Sequence, residues 1–211
     1  MAKITLISMQ EKNKKRCNLF LDGEFYAGVS MEIVLKYRLK VGQDVSAEIL
    51  KELISESERA EALNKAVDYI SNRLKTKREL KDYLIRKGYA EEVVWYCIDK
   101  LKEYNYINDE EYSRRYIEST AKNQGKNLTQ YKLMMKGVRK EDVESAFNDV
   151  EIDSKQNAYN VAVKYLKNKD VTKENLAKTY RYLIGKGFTY EDTNYAIDRI
   201  RGEKNGESFD D

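Results

Sequence analysis

Seven cations crowd the stretch from Arg73 to Lys87, namely Arg73, Lys75, Lys77, Arg78, Lys81, Arg86 and Lys87, against only Glu79 and Asp82. That local excess of five positive charges is larger than the +3 of the whole chain. The chemistry open to such a stretch is electrostatic: it can grip phosphates or an acidic protein surface, or it can be a solvated helix face of lopsided charge. A second group, Lys132, Lys136, Arg139 and Lys140, is diluted by Glu141, Asp142 and Glu144. Covalent and acid–base chemistry find less support. The chain has no histidine, so it offers no imidazole base and no histidine-ligated metal. Its two cysteines, Cys17 and Cys97, stand too far apart for a CxxC or a zinc knuckle and read as free cytosolic thiols. No pair of carboxylates has a convincing catalytic spacing. The expectation is a non-enzyme with no catalytic residue, no metal and no cofactor.

These residues have to be positioned by helices. Three Lys-Gly pairs, Lys87-Gly88, Lys136-Gly137 and Lys186-Gly187, succeed one another at 49 and 50 residues. Four residues before each glycine stands a leucine (Leu84, Leu133, Leu183), and four after it a glutamate (Glu92, Glu141, Glu191). Nine residues after come Cys97, Ala146 and Ala196, which makes Cys97 a buried small residue in a column of alanines. The spacing predicts a threefold repeat of three helices per unit. In the first unit Leu63, Ala66, Val67, Ile70 and Leu74 make the inner stripe of one helix. Thr76-Lys77-Arg78-Glu79 is a capping box that opens a second helix, and Gly88 stops it. Asn108 and Thr189 repeat the capping device further on. The Lys-Gly pairs are helix stops and not phosphate loops, because each glycine comes after a helix where a Walker loop precedes one.

Residues 3–45 have a different period. Ile4–Met9, Cys17–Leu21 and Phe25–Val29 read as strands, Asp22-Gly23 as a hairpin turn, and Ser30 as the cap of a short helix to about Lys36. So small a unit must dock on the helical part of the chain. The expected fold is mainly α: three tandem three-helix repeats in an elongated, curved array behind a small β-rich unit. The expected boundaries are 1–50 for the β-rich unit, 51–107, 108–151 and 152–201 for the repeats, and 202–211 for a disordered tail. Of the seventeen tyrosines, those at helical spacing (Tyr83, Tyr112, Tyr116, Tyr159, Tyr182) read as core residues with hydroxyls reaching the surface. Tyr104, Tyr106 and Trp95 read as packing between repeats. No run of about 18 apolar residues occurs, so a soluble, cytoplasmic protein without membrane contact is expected; a monomer is the expected state.

The segment Arg59…Leu63…Leu74-Lys75-Thr76-Lys77-Arg78-Glu79-Leu80…Leu84…Lys87-Gly88 resembles the RecX family of bacterial regulators of the RecA recombinase. Leu101…Ile107-Asn108-Asp109-Glu110-Glu111-Tyr112 is similar to the family's junction motif, and the strand unit is similar to the N-terminal extension of its Gram-positive members. The chain departs from the family pattern at Lys75-Thr76, where Arg-Ser is usual, at Asn108, where aspartate is usual, and at Ser113, where alanine is usual. The resemblance implies a non-enzymatic modulator that lies in the groove of the RecA–DNA filament and restrains strand exchange and ATP hydrolysis. The two cation groups would then be its contacts to filament or DNA. The residue reading alone also allows an independent binder of single- or double-stranded DNA, or a helical scaffold for another protein.

Overall fold

Alternating apolar and polar residues start the chain as strands. β1 (Ala2–Met9) pairs antiparallel with β2 (Arg16–Leu21), β2 with β3 (Glu24–Ser30), and β1 on its other side with β4 (Asp44–Val45), giving the order β3-β2-β1-β4. Asp22 and Gly23 both take positive φ, as a two-residue hairpin requires. The buried face of the sheet presents Ile4, Cys17, Leu19, Leu21 and Val29. Ser30 accepts from the Ile33 backbone N–H at 3.2 Å and caps α1 (Met31–Lys36). This computed structural model describes residues 1–207.

The sheet docks on α2 (Ala47–Ser71), a single 25-residue helix. Leu50 and Leu53 complete the core of the sheet, and Ser57 Oγ accepts from the Ser30 N–H at 2.7 Å. One helix therefore serves both the β-rich unit and the first repeat. Further along α2 the inner face is made by Ala62 and Ala66. Val67 from the expected stripe is instead 43% exposed, and Leu74, also 43% exposed, lies beyond the end of α2 at Ser71, so the stripe stops short of it.

Nine helices make three three-helix repeats among the described residues: α2, α3 (Lys77–Arg86) and α4 (Glu91–Glu103); α5 (Asp109–Thr120), α6 (Lys126–Met135) and α7 (Lys140–Asp149); α8 (Ser154–Leu166), α9 (Lys173–Gly185) and α10 (Tyr190–Glu207). α10 runs through Gly202 to Glu207, where a disordered tail was expected from Gly202; the remainder of that expectation, 208–211, lies outside the described residues. The chain divides into two compact units. The first holds residues 1–74 and 80–106; the second holds 75–79 and the chain from Ile107 onward. The first turn of α3 thus belongs with the second unit.

The second unit has two apolar cores. Ile117, Leu133, Val138, Val143 and Ala146 form one, and a larger cluster from Ala158 to Ile200 around Leu183 and Phe188 forms the other. The column read as small and buried is so in every repeat: Cys97, Ala146 and Ala196 are fully buried. No helix among the described residues is long and apolar enough to cross a membrane.

Candidate functional site

The three Lys-Gly corners share one backbone geometry. Gly88, Gly137 and Gly187 have φ of 87°, 84° and 84°, and the next residue donates its N–H back to the repeat's leucine (Tyr89 to Leu84, Val138 to Leu133, Phe188 to Leu183). This is the Schellman stop, and it needs glycine because a Cβ is strained at that φ. In the second unit two of the corners do more. The Thr76 hydroxyl, fully buried, donates to the Lys136 carbonyl at 2.8 Å. One repeat later Gly125 N–H donates to the Lys186 carbonyl at 2.9 Å, and Asn127 N–H to the Gly187 carbonyl at 3.0 Å. A Cβ on Gly137 would overlap the Arg78 side chain, and one on Gly187 would overlap Leu128. The start of one repeat's middle helix therefore seats on the next repeat's corner glycine.

That seating brings part of the basic stretch together with part of the second cation group. Lys136 Nζ pairs with Glu79 at 2.7 Å and lies 5.7 Å from the Tyr112 ring centre. Glu79 also closes the capping box, accepting from Thr76 N–H at 3.1 Å while its own N–H donates to Thr76 Oγ1 at 3.1 Å. Burial works to raise the Glu79 carboxyl, but the Lys136 and Thr76 hydrogen bonds and the surrounding cations hold it below its ordinary value. Hydrogen bonding to Glu79 in turn raises Lys136. Lys77 N–H donates to Asp109 at 2.8 Å, and burial raises the Asp109 carboxyl despite that bond. The sequence reading places Asp109 and Tyr112 in the junction motif but does not bring them to the start of α3 and to Lys136. A signal for the seating itself was Thr76 and Gly125 standing at the same distance, twelve residues, before Gly88 and Gly137.

The other members of the second group are partnered at close range. Arg139 makes two hydrogen bonds to Asp142, at 2.9 and 2.7 Å; Lys140 lies 3.5 Å from Glu144; and Lys132 donates to Gln124 at 2.6 Å. In the first unit Lys81 pairs with Glu91 at 3.1 Å and lies 4.7 Å from the Trp95 ring centre, while the indole N–H donates to the same carboxylate. Arg73, Arg86 and Lys87 are exposed, Lys87 with its ammonium 5.5 Å from the Tyr83 ring. Lys75 and Lys77 are half-buried.

The tyrosines stack where they were expected to pack. Tyr69 lies flat on Tyr83 at 4.0 Å and Tyr165 on Tyr182 at 4.3 Å, with Lys87 and Lys186 over the second ring of each pair. Tyr104 and Tyr106 correct the reading: they are 65% and 64% exposed and face solvent side by side, instead of packing at a junction. Burial pushes the Cys97 thiol up to about 11, which leaves it without a thiolate at neutral pH. Among the described residues no three cysteines, aspartates or glutamates are grouped to hold a metal ion.

Residues 2–46 match the model of the regulatory protein RecX N-terminal domain, and residues 62–101 that of the first three-helix domain of RecX. The chain is similar to regulatory protein RecX of Clostridium botulinum strain Alaska E43, with 36% identity over 90% of this chain and 92% of the relative. It is 34% identical to that of Clostridium tetani over 94% of both chains, and 29% identical to that of Bacillus subtilis strain 168 over 95% of this chain and 78% of the relative. Two crystal structures share the fold. One, of regulatory protein RecX, superposes with a TM-score of 0.73 at 23% identity over 94% of this chain and all of the other. The second, of RecX from Lactobacillus salivarius, does so at 0.63 and 23% over 68% of this chain and 97% of the other. With a relative 36% identical along 90% of this chain and 92% of its own length, and with the N-terminal and first three-helix domains matched, the chain belongs to the RecX family of regulatory proteins.

Proposed function

We propose that this chain restrains RecA by binding the RecA–DNA filament in its groove, and that it works by contact without chemistry of its own. The observation that carries this reading is the 36% identity to a regulatory protein RecX along 90% of the chain. Two features support it. Repeated modules let several weak contacts add through effective concentration on a partner that is itself repetitive. The exposed cations Arg73, Arg86 and Lys87 give the first unit a basic surface suited to acidic protein or to phosphate. The test is RecA-catalysed ATP hydrolysis on single-stranded DNA with and without the chain. Dose-dependent inhibition is expected, and an unchanged rate at saturating chain would overturn the reading.

The same three cations favour a second reading, direct binding to DNA. Titration of labelled single- and double-stranded DNA at two salt concentrations separates the two. Tight binding without RecA that falls steeply with salt favours the DNA reading. Lys77, Arg78 and Lys81 suit a charge test poorly, since Lys77 is half-buried, Arg78 covers Gly137 and Lys81 is held by Glu91. Arg73→Gln/Arg86→Gln/Lys87→Gln is the better variant. Its half-inhibitory concentration is expected to rise several-fold and its salt dependence to flatten.

A further inference from the structure

Of three equivalent corners, two are covered and one is open. At Gly137 and Gly187 the start of a middle helix sits against the glycine so closely that a Cβ has no room. At Gly88 the backbone turn is the same, yet nothing lies within 4 Å of where a Cβ would be. Positive φ alone accounts for glycine there; the close approach that the other two corners serve has no counterpart. We infer that the Lys87-Gly88 corner is a docking site for the N-terminus of a helix on the partner protein, seated as Thr76 to Arg78 seat on Gly137. The inference rests on the reading that the chain acts by contact with the RecA filament, and it names the place and the element of that contact.

The two filled corners specify the occupant. It opens on a residue that donates from a hydroxyl or a bare backbone N–H, as Thr76 and Gly125 do to the carbonyl of the corner lysine. Its next residues cross the glycine without steric conflict. At the Gly137 corner the first turn carries an acid, Glu79, that meets Lys136, whereas α6 at the Gly187 corner has none. An acid that meets Lys87 follows the Gly137 case, and exposed Arg86 beside it favours that charge. Acids are also the residues that a helix N-terminus carries at least cost. The occupant is therefore a helix that starts on serine, threonine or glycine with a carboxylate within one turn. Of a second copy's middle helices, those capped by Thr76 and Gly125 are already seated, while α9 opens on Thr172 with Glu174 in its first turn and so meets the description. Self-association of the free chain in gel filtration that Gly88→Asn abolishes would assign the corner to a second copy and overturn the inference.

Gly88→Asn tests the site without changing charge. Asparagine tolerates positive φ better than most residues, and in the unbound chain its side chain enters open space. On a docked helix it would collide, as a Cβ would at the other two corners. Lys87→Glu is the companion variant; it leaves the backbone alone and repels an acidic first turn. Both are first checked for wild-type circular dichroism and then titrated in the RecA ATPase assay. Each is expected to raise the half-inhibitory concentration by about tenfold or more. Inhibition by the wild-type chain with an undiminished Gly88→Asn overturns the docking inference and leaves the regulatory reading standing, and the result counts the same way if Lys87→Glu alone is weakened, since that reports charge. A wild-type chain that does not inhibit brings down both.

Discussion

Gly88 and Gly137 have the same φ to within a few degrees and the same lysine before them, but they should respond differently to an added side chain. Gly137→Ala meets strain at positive φ and also the Arg78 side chain, for a combined cost of roughly 2–4 kcal/mol. Gly88→Ala meets only the first, roughly 1–2 kcal/mol. Chemical denaturation of the two variants side by side measures the difference, and equal costs would show that Arg78 simply moves aside. Cys97 makes the opposite case, a residue that need not be what it is. It is fully buried in a position the other repeats fill with Ala146 and Ala196, so Cys97→Ala should cost only about 1 kcal/mol. Burial has pushed its thiol to about 11, and Cys17 is buried beside Met31. A thiol reagent at pH 7 should therefore label neither cysteine until the chain is unfolded; rapid labelling of the native protein would contradict their burial.

Among the elements, the seat of α3 on the second repeat should be visible in the pH dependence of stability. Glu79 has a carboxyl below its ordinary 4.5, so its ion pair stabilises above that value and the contribution fades as acid protonates it in the fold. Lys136 is raised above its ordinary 10.5, so its share is complete below that value and fades as base passes the higher one. Asp109 runs the other way: burial has raised it above 3.8, so its ionised form costs stability at neutral pH and acid relieves the cost. Asp109→Asn keeps an acceptor for Lys77 N–H and removes the buried charge. Its melting temperature at pH 7 should equal or exceed that of the wild type, with the difference gone near pH 3. Glu79→Gln should lower it at pH 7, by an amount that also shrinks in acid. The elements themselves were largely legible in the sequence. The Thr76–Glu79 box, the Asn108 cap, the Thr189–Asp192 cap and the Asp22-Gly23 turn all form as local chemistry dictates. What was not legible depends on residues far apart in the chain. The bond from Thr76 to Lys136 spans 60 positions, and β4 is two residues whose strand character comes only from pairing with β1. The exposure of Val67 was hidden for the same reason: a helix stripe states which residues are apolar, while the partner's position decides which of them are covered. Leu74 falls outside the stripe because α2 ends at Ser71.

At the scale of the whole molecule, two units with their own cores imply that stability is not one number. The chain's single tryptophan, Trp95, lies on α4 in the first unit, whereas α5 to α10 all lie in the second. Tryptophan fluorescence therefore reports the first unit, and far-ultraviolet circular dichroism is weighted towards the second. A lesion confined to the second unit should separate the two signals. Gly187→Ala is such a lesion, because its Cβ would drive Leu128 off the corner where Gly125 and Asn127 make their backbone bonds. In urea, the circular dichroism midpoint of this variant is expected to fall while the Trp95 midpoint stays at its wild-type value. The direction is set by where the strain is placed: the atoms that the new Cβ would meet first all belong to Leu128, in the second unit. Midpoints that fall together by the same amount would mean that α3, whose first turn belongs to one unit and whose remainder belongs to the other, transmits the loss and makes the units melt as one. The pair of midpoints thus decides whether the two units unfold as one cooperative block or each with its own stability.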